Sequence, residues 1–355
     1  MNIPFSTAPI ADGRADWRAR DVQDGAGWTQ VLSHHDLQTL GAAMALARAA
    51  NIDIDDLTRD NFPLPGMAAL FERILGELET GRGLFLLRGF PVHGFSKPDL
   101  RYMYVGFCRH LGATMSQSGG GDHIGDVRDM NVDVNSPRGR AYTSNQRLTF
   151  HSDQADVVTL VVLRTAKSGG LSKLASALAI RNEIARTRPD LLEVLHQPFG
   201  WSWQEQQPPG EAGWYRQPIY TEKDGRFSSY YIRTHITSAQ RYEEVPRLAP
   251  RQIEAMDAID TLASSEEFHI STMFQPGDVQ FLNNHVILHS RTAFEDHAEP
   301  EQHRHLLRIW LSVRNNRPLH ASMHALFRDQ SPGAARGGYP SRSARRFYET
   351  SVSMT

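Results

Sequence analysis

The hydrophobic pattern changes character partway along the chain. Before about residue 112 it favours helices. Residues 35–50 (HDLQTLGAAMALARAA) are rich in alanine and leucine, and residues 66–80 (GMAALFERILGELET) carry apolar side chains at helical spacing, with Gly81 or Gly83 as the stop. Residues 83–90 (GLFLLRGF) predict a short strand. A third helix is framed by Ser96 as N-cap, Pro98 in the first turn and Gly112 as the stop, and SQSGGGDH at 116–123 is a loop by composition. From about residue 126 the chain turns to β-branched and aromatic runs: DVRDMNVDV, LTFHSD, VVTLVVLRTA, SSYYIRTHI, FHISTMF, VQFLNNHVIL and LLRIWLSV. Two helices, at roughly 174–187 before Pro189 and at 249–264, interrupt them. Many short strands with long insertions predict a mainly β fold with flanking helices, a sandwich or jelly roll. The expected division is an N-terminal helical extension (1–80), a jelly-roll unit with helical insertions (81–315) and a C-terminal tail (316–355). The tail, rich in Gly, Ser, Pro and Arg, suits a surface segment or an oligomer contact.

Composition narrows the function. With 355 residues and a formal charge of −2, the chain has no electrostatic bias towards nucleic acid or a membrane surface. One cysteine, Cys108, excludes an intramolecular disulfide, and its apolar neighbours in a helix suit packing better than nucleophilic chemistry. The start lacks the apolar core of a secretory signal, and no apolar run approaches the length of a membrane span. A soluble cytoplasmic protein acting on a small molecule is expected, and a homo-oligomer is compatible with the tail.

Candidate chemistry enters at FHSDQAD, 150–156. Residues two apart on a strand share a face, so His151 and Asp153 converge on one point. An imidazole and a carboxylate suit Fe(II), Mn(II) or Zn(II), although the same pair suits a wet outer face. A strand from VQFLNNHVILHS ends in His289, a third ligand from a distant part of the chain. Two histidines and a carboxylate on one face leave open positions on iron, the facial triad of non-haem oxygenases. His285 shares a face with His289 by strand period and competes with it. Further on, HRHLLRIWLSV carries Arg304 and Arg308 four apart on one strand face. Inside a barrel two such arginines need anions, and a guanidinium fork fits a carboxylate.

Four motifs in order, HSD, SGGLS (168–172), NNHVILHSRTAFED (283–296) and RHLLRIWLS (304–312), resemble the TauD/TfdA family of Fe(II)- and 2-oxoglutarate-dependent dioxygenases, over roughly 80–315. The resemblance implies a double-stranded β-helix core. It implies that His151, Asp153 and His289 hold Fe(II), favouring His289 over His285. Arg304 would grip the distal carboxylate of 2-oxoglutarate, with Ser172 bonding the same group, and Arg308 would contact cosubstrate or substrate. The implied reaction consumes O2 and 2-oxoglutarate, releases succinate and CO2, and by default hydroxylates an aliphatic carbon of a small polar or carboxylate-bearing substrate. Asp153 disfavours halogenation, because related halogenases carry a small residue there. The family's sulfonate-binding histidine has no match in the early helical region, so taurine is not expected as substrate.

Other residues are weighed as pocket lining: Asn131, Tyr142, Asn145, Trp203, Tyr231 and Arg233. His123 and Asp126 lack a third ligand for a second metal. Gly119 to Gly121 form a loop or lid without the Lys-Ser/Thr of a phosphate cradle. Two alternatives keep the three ligands: a cupin-like isomerase or hydrolase using Zn(II) or Mn(II), which has no need of Arg304 and Ser172, and a non-catalytic ligand-binding jelly roll.

Overall fold

A computed structural model describes residues 5–130, 143–341 and 345–347. Two β-sheets face each other. The larger contains Thr29–Val31 (β1), Leu84–Arg88 (β2), Gly112–Met115 (β3), Gly125–Val127 (β4), Val157–Arg164 (β6), Val279–Asn283 (β9) and His305–Val313 (β11). Its order is β1-β2-β9-β6-β11-β3, with β4 also on β11; β1 and β2 run parallel and the other pairs antiparallel. The smaller sheet contains Leu148–His151 (β5), Ser172–Ser176 (β7), His269–Thr272 (β8) and Ile287–Arg291 (β10), in the antiparallel order β8-β7-β10-β5.

Period-two alternation explains why the larger sheet reads as unbroken apolar runs. On β11, Leu307, Ile309, Leu311 and Val313 face outwards into one apolar cluster, while Leu306 and Trp310 join the cluster between the sheets. Strand β2 divides likewise, Phe85 and Leu87 out, Leu84 and Leu86 in. The outer face is covered by helices from the first third of the chain: His34–Ala49, Ala68–Glu79 and Lys97–Cys108. Their starts follow local chemistry. Ser33 accepts from the Asp36 N–H while Asp36 bonds back to Ser33, and Ser96 caps the third helix through the Asp99 N–H, with Pro98 in its first turn. In the second helix Leu70, Phe71, Ile74, Leu75 and Leu78 are buried, the spacing that lays one face on the sheet. Gly83, in the left-handed region at φ 81°, begins β2 where a Cβ would come 2.5 Å from Val286.

Several boundaries differ from the pattern. The third helix ends at Cys108, because Gly112 already belongs to β3. Cys108 is fully buried, and burial pushes its thiol pKa up. The helix expected from about 174 begins at Ala177, since Ser172–Ser176 pairs as β7 and Ser176 then caps the helix through the Ala179 N–H. SSYYIRTHI splits into the end of the strand Arg226–Ser229 and the helix Arg233–Ala239. The N-terminal region is not solely helical, because Thr29–Val31 extends the larger sheet.

The C-terminal segment departs most from expectation. It is extended, but it runs into the structure. Arg336 is 2% exposed; its Nε donates to Asp156 Oδ1 at 2.9 Å and its Nη2 to the Arg317 carbonyl at 2.6 Å. Gly338 then exchanges two hydrogen bonds with Gln154, at 2.7 and 3.1 Å, and the Tyr339 N–H donates to the Ser116 carbonyl at 2.9 Å. Gly337 and Gly338 both take positive φ, 84° and 73°, and a Cβ on Gly338 would lie 2.7 Å from the Ser116 oxygen. Composition signalled a tail; the glycines serve a close backbone approach instead.

Arg336 compensates a buried carboxylate, so Arg336→Ala is expected to lower unfolding free energy by about 3 kcal/mol, the scale of a broken buried pair. Urea denaturation measures this, and a loss below about 1 kcal/mol would mark the segment as peripheral.

Candidate active site

The site is assembled where β5 meets β10. His151 and His289 stand directly opposite each other in the antiparallel register, with ring centres 4.2 Å apart. Opposed residues share a face, so both rings point between the sheets. Asp153 lies just beyond the end of β5. Two contacts hold it there. The Asp153 N–H donates to Asn284 Oδ1 at 2.9 Å, and Ser152 exchanges bonds with the Tyr231 backbone, N–H to carbonyl at 2.9 Å and Tyr231 N–H to Ser152 Oγ at 3.0 Å.

One potential ligand atom from each of His151, Asp153 and His289 falls within 4.8 Å of the others. His289 Nε2 is 3.7 Å from Asp153 Oδ2, a buried oxygen with no hydrogen-bond partner. His151 Nδ1 lies 2.8 Å from the Thr149 carbonyl, which orients the ring and leaves Nε2 for a ligand role. Burial, reinforced by His151, pushes the His289 pKa down to about 3, so the imidazole is neutral at neutral pH. Burial would raise the Asp153 pKa, but the Arg308 guanidinium beside it leads the contributions that outweigh burial and hold the carboxylate ionised. A neutral imidazole at His289, an ionised carboxylate and an orphaned buried oxygen suit a divalent cation.

His285 is not part of this cluster. Residues 284–286 turn the chain between β9 and β10, which breaks the strand period that linked His285 to His289. His285 is buried, with Nε2 2.9 Å from Asp156 Oδ1 in the network that also holds Arg336.

The two arginines of β11 serve different places. Arg304, just before the strand, packs over the Phe294 ring at 5.1 Å and beside Gly170, where a Cβ would sit 3.3 Å from its Nε. It is 7% exposed, and its Nη1 has no acceptor. Burial and the nearby charge of Arg291 pull its pKa down to about 9, against Asp296. Ser172 stands opposite Arg291 in the β7–β10 register, hence on the face that carries His289. Arg308 instead reaches the metal carboxylate: Nη1 is 3.4 Å from Asp153 Oδ1, and Nε donates to Gln117 Oε1 at 2.7 Å.

The remaining candidates separate. Trp203 is buried against Tyr215, with ring centres 4.5 Å apart, and against Tyr339 at 6.4 Å. Tyr339 also packs on Trp310, at 6.0 Å, whose indole lies beside Asp153. Tyr231 points away: its hydroxyl bonds Asp260 Oδ1 at 2.9 Å, so its contribution is the backbone that holds Ser152. Asn145 is exposed and meets the site region only through its carbonyl, which accepts from the Phe294 N–H at 3.1 Å. Arg233 pairs with Asp257 and Asp260. Asn131 and Tyr142 lie outside the described residues. His123 bonds Thr114 while Asp126 bonds His305 and Arg101, so they do not converge. Sequence reasoning missed Gln117, Trp310, Tyr339 and Arg291. Trp310 and Arg291 were within reach, two residues after Arg308 and His289 on the same strand faces.

Comparison with known proteins agrees with this geometry. The family model described as taurine catabolism dioxygenase TauD, TfdA family, matches residues 53–310. The chain belongs to the TauD/TfdA family. It is 31% identical over 320 residues to FR-33289 synthase of Streptomyces rubellomurinus, covering 88% of this chain and 93% of that protein. It is 26% identical over 302 residues to the taurine hydroxylase-like protein SAT17 of Stachybotrys chartarum, covering 82% and 77%. Among solved structures, asparagine oxygenase with Fe(II), 3-hydroxyasparagine and succinate aligns with a TM-score of 0.62 at 14% identity, covering 80% of this chain and 93% of that one. The non-haem iron oxygenase OrfP with Fe and 2-oxoglutarate aligns at 0.58 and 16%, covering 80% and 94%. The TauD/TfdA chain is thus an oxygenase dependent on Fe(II), 2-oxoglutarate and O2, on the double-stranded β-helix expected from its strands. Among the described residues no helix is long and apolar enough to cross a membrane.

The rival histidines are separable. His289→Ala is expected to abolish iron retention, read by metal analysis. His285→Ala is expected to retain iron but lose about 2–3 kcal/mol of stability, because Asp156 loses a buried partner. Burial also depresses the His285 pKa to about 4. The unfolded chain, with histidine near about 6.5, therefore binds more protons, and stability is lost as pH falls from that value towards 4. His285→Ala should flatten this dependence in urea titrations. Loss of iron in His285→Ala would return it to the ligand set.

Proposed function

We propose that the chain hydroxylates an aliphatic carbon of a small, anion-bearing molecule. In this reading His151, Asp153 and His289 hold Fe(II), Arg304 and Ser172 bind the distal carboxylate of 2-oxoglutarate, and Arg308 directs an anionic group of the substrate. The observation that carries it is the division of labour along β11. Arg304 Nη1 is buried without an acceptor beside Gly170, and Arg308 is fixed by Gln117 against the Asp153 carboxylate.

Bound iron with 2-oxoglutarate supplies oxidative decarboxylation to succinate and CO2, coupled to oxidation of a substrate carbon. The protein's part is placement. The Ser152 and Asn284 contacts keep Asp153 level with the two histidines. Arg308, beside Asp153, would seat a carboxylate or similar anion so that a neighbouring carbon faces the metal. Trp203, Trp310 and Tyr339 offer an apolar wall for the carbon body. The solved relatives hold 3-hydroxyasparagine and 3-hydroxyarginine, each a small polar molecule hydroxylated on an aliphatic carbon, which supports the substrate class. The catalytic unit of residues 81–315 would then be buttressed outside by residues 1–80, with the C-terminal segment adding to the pocket.

The test is anaerobic. Fe(II) and 2-oxoglutarate together are expected to give a weak visible charge-transfer band, absent in His151→Ala and Asp153→Ala proteins that keep wild-type circular dichroism. Arg304→Ala should weaken 2-oxoglutarate by roughly 30-fold or more, the scale of a lost charge-assisted fork, with iron affinity unchanged. Unweakened 2-oxoglutarate binding in Arg304→Ala would remove the cosubstrate assignment.

A further inference from the structure

Arg291 is a buried cation that the reading above does not use. It sits on β10 two residues past His289, on the same strand face, and is 4% exposed. Part of its guanidinium is satisfied. Nη2 donates to the Ser144 carbonyl at 2.9 Å and to the Gln146 carbonyl, and Nε donates to the Thr292 carbonyl at 3.2 Å. These bonds fix the plane of the group. Nη1, with two N–H donors, is buried and has no acceptor.

Arg304 presents the same situation close by. Its Nη1 is also buried without an acceptor, and both guanidinium carbons lie over the Phe294 ring, at 4.6 Å for Arg291 and 5.1 Å for Arg304. Ser172 is directly across the strand pair from Arg291. The backbone knits these pieces together: Leu171 N–H donates to Thr292 Oγ1, Thr292 N–H to the Leu171 carbonyl, and Gly170 N–H to the Ala293 carbonyl, all at 3.0–3.1 Å. Asp296 and Asp129 temper the positive charge, and Asp296 is occupied by the Arg304 N–H at 2.7 Å. Two like-charged forks held together with orphaned donors are costly unless an anion completes them.

We propose that Arg291 is a second arginine for the distal carboxylate of 2-oxoglutarate, acting with Arg304 and Ser172. The assignment rests on the cosubstrate reading above and extends it. One carboxylate has two oxygens and about four lone-pair positions, enough for both arginines and a hydroxyl. Anchoring of Nη2 by Ser144 and Gln146 leaves Nη1 as the donor pair without an acceptor. Selectivity for a dicarboxylic 2-oxo acid over a monocarboxylic one follows from two cations in one apolar-walled subsite.

The experiment measures anaerobic binding to the full-length Fe(II)-loaded protein by calorimetry. Its probes are 2-oxoglutarate and 2-oxobutyrate, which share the 2-oxo acid head and differ in the distal carboxylate. Arg291→Gln is expected to weaken 2-oxoglutarate by about tenfold or more and 2-oxobutyrate by less than about twofold, so the preference falls. Equal weakening of both acids would make Arg291 a clamp on the 144–146 loop only and overturn the proposal, as would unchanged binding of both. Arg304→Gln separates the two levels: if it keeps the full preference, the cosubstrate reading itself fails, whatever Arg291 does. Should Arg291→Gln lack wild-type near-ultraviolet dichroism, Arg291→Lys decides. A reduced preference supports a fork-shaped contact, and the wild-type preference overturns it.

Discussion

The register between β5 and β10 is the constraint on which the site depends. His151 faces His289 because Ile287–Arg291 pairs with Leu148–His151 with those two residues opposed, the register shifting only beyond them towards Arg291. Side chains alternate with period two, so a slip of one residue would turn His289 away from the space between the sheets. Pairing of β10 with its other neighbour, β7, places Arg291 opposite Ser172, and Arg304 lies beside Gly170. The register is pinned from several sides. Ser290 Oγ donates to the Leu148 carbonyl at 2.7 Å, and Asn284 joins the turn before β10 to Asp153. The metal cluster and the proposed carboxylate site thus both depend on the two pairings of β10.

Around that pairing the protein buries an unusual amount of cationic charge, and each guanidinium has a different answer to it. Arg336 and Arg317 meet carboxylates, Asp156 and Asp12. Arg308 meets the metal-binding Asp153 and the Gln117 amide. Arg291 and Arg304 keep donors without acceptors. Permanent ion pairs tie the frame together, and in the proposed reading the incomplete ones are where an anionic small molecule completes the structure. On that reading the burial is preorganisation, because the donors are oriented before the anion arrives.

Much of this was legible in the sequence, for identifiable reasons. HSD, His289 and the Arg304/Arg308 pair show themselves because hydrophilic residues interrupt strands that are otherwise apolar on both faces. The choice of His289 over His285 was not legible from spacing, because one continuous apolar run, VQFLNNHVIL, hides the turn at 284–286. Tyr231 misled in the opposite way: an aromatic residue next to a strand reads as pocket lining, but the chain turns into the helix Arg233–Ala239 and aims the hydroxyl at Asp260. The C-terminal segment was obscured by its own composition. Glycine, proline and arginine signal a solvated tail unless the partners are known, and Asp156, Gln154 and Ser116 lie far away in sequence.

That segment also bears on what family membership can fix. The matched region ends at residue 310, yet Gly338 is bonded to the residue following Asp153, and Tyr339 packs against Trp203 and Trp310. The residues proposed to hold iron and 2-oxoglutarate lie inside the matched region. Tyr339 comes from a segment outside it and is itself buried, in the same apolar cluster as Trp203 and Trp310. In the proposed reading the substrate wall therefore depends in part on a segment beyond the family match, whereas the His151, Asp153 and His289 cluster lies wholly within it.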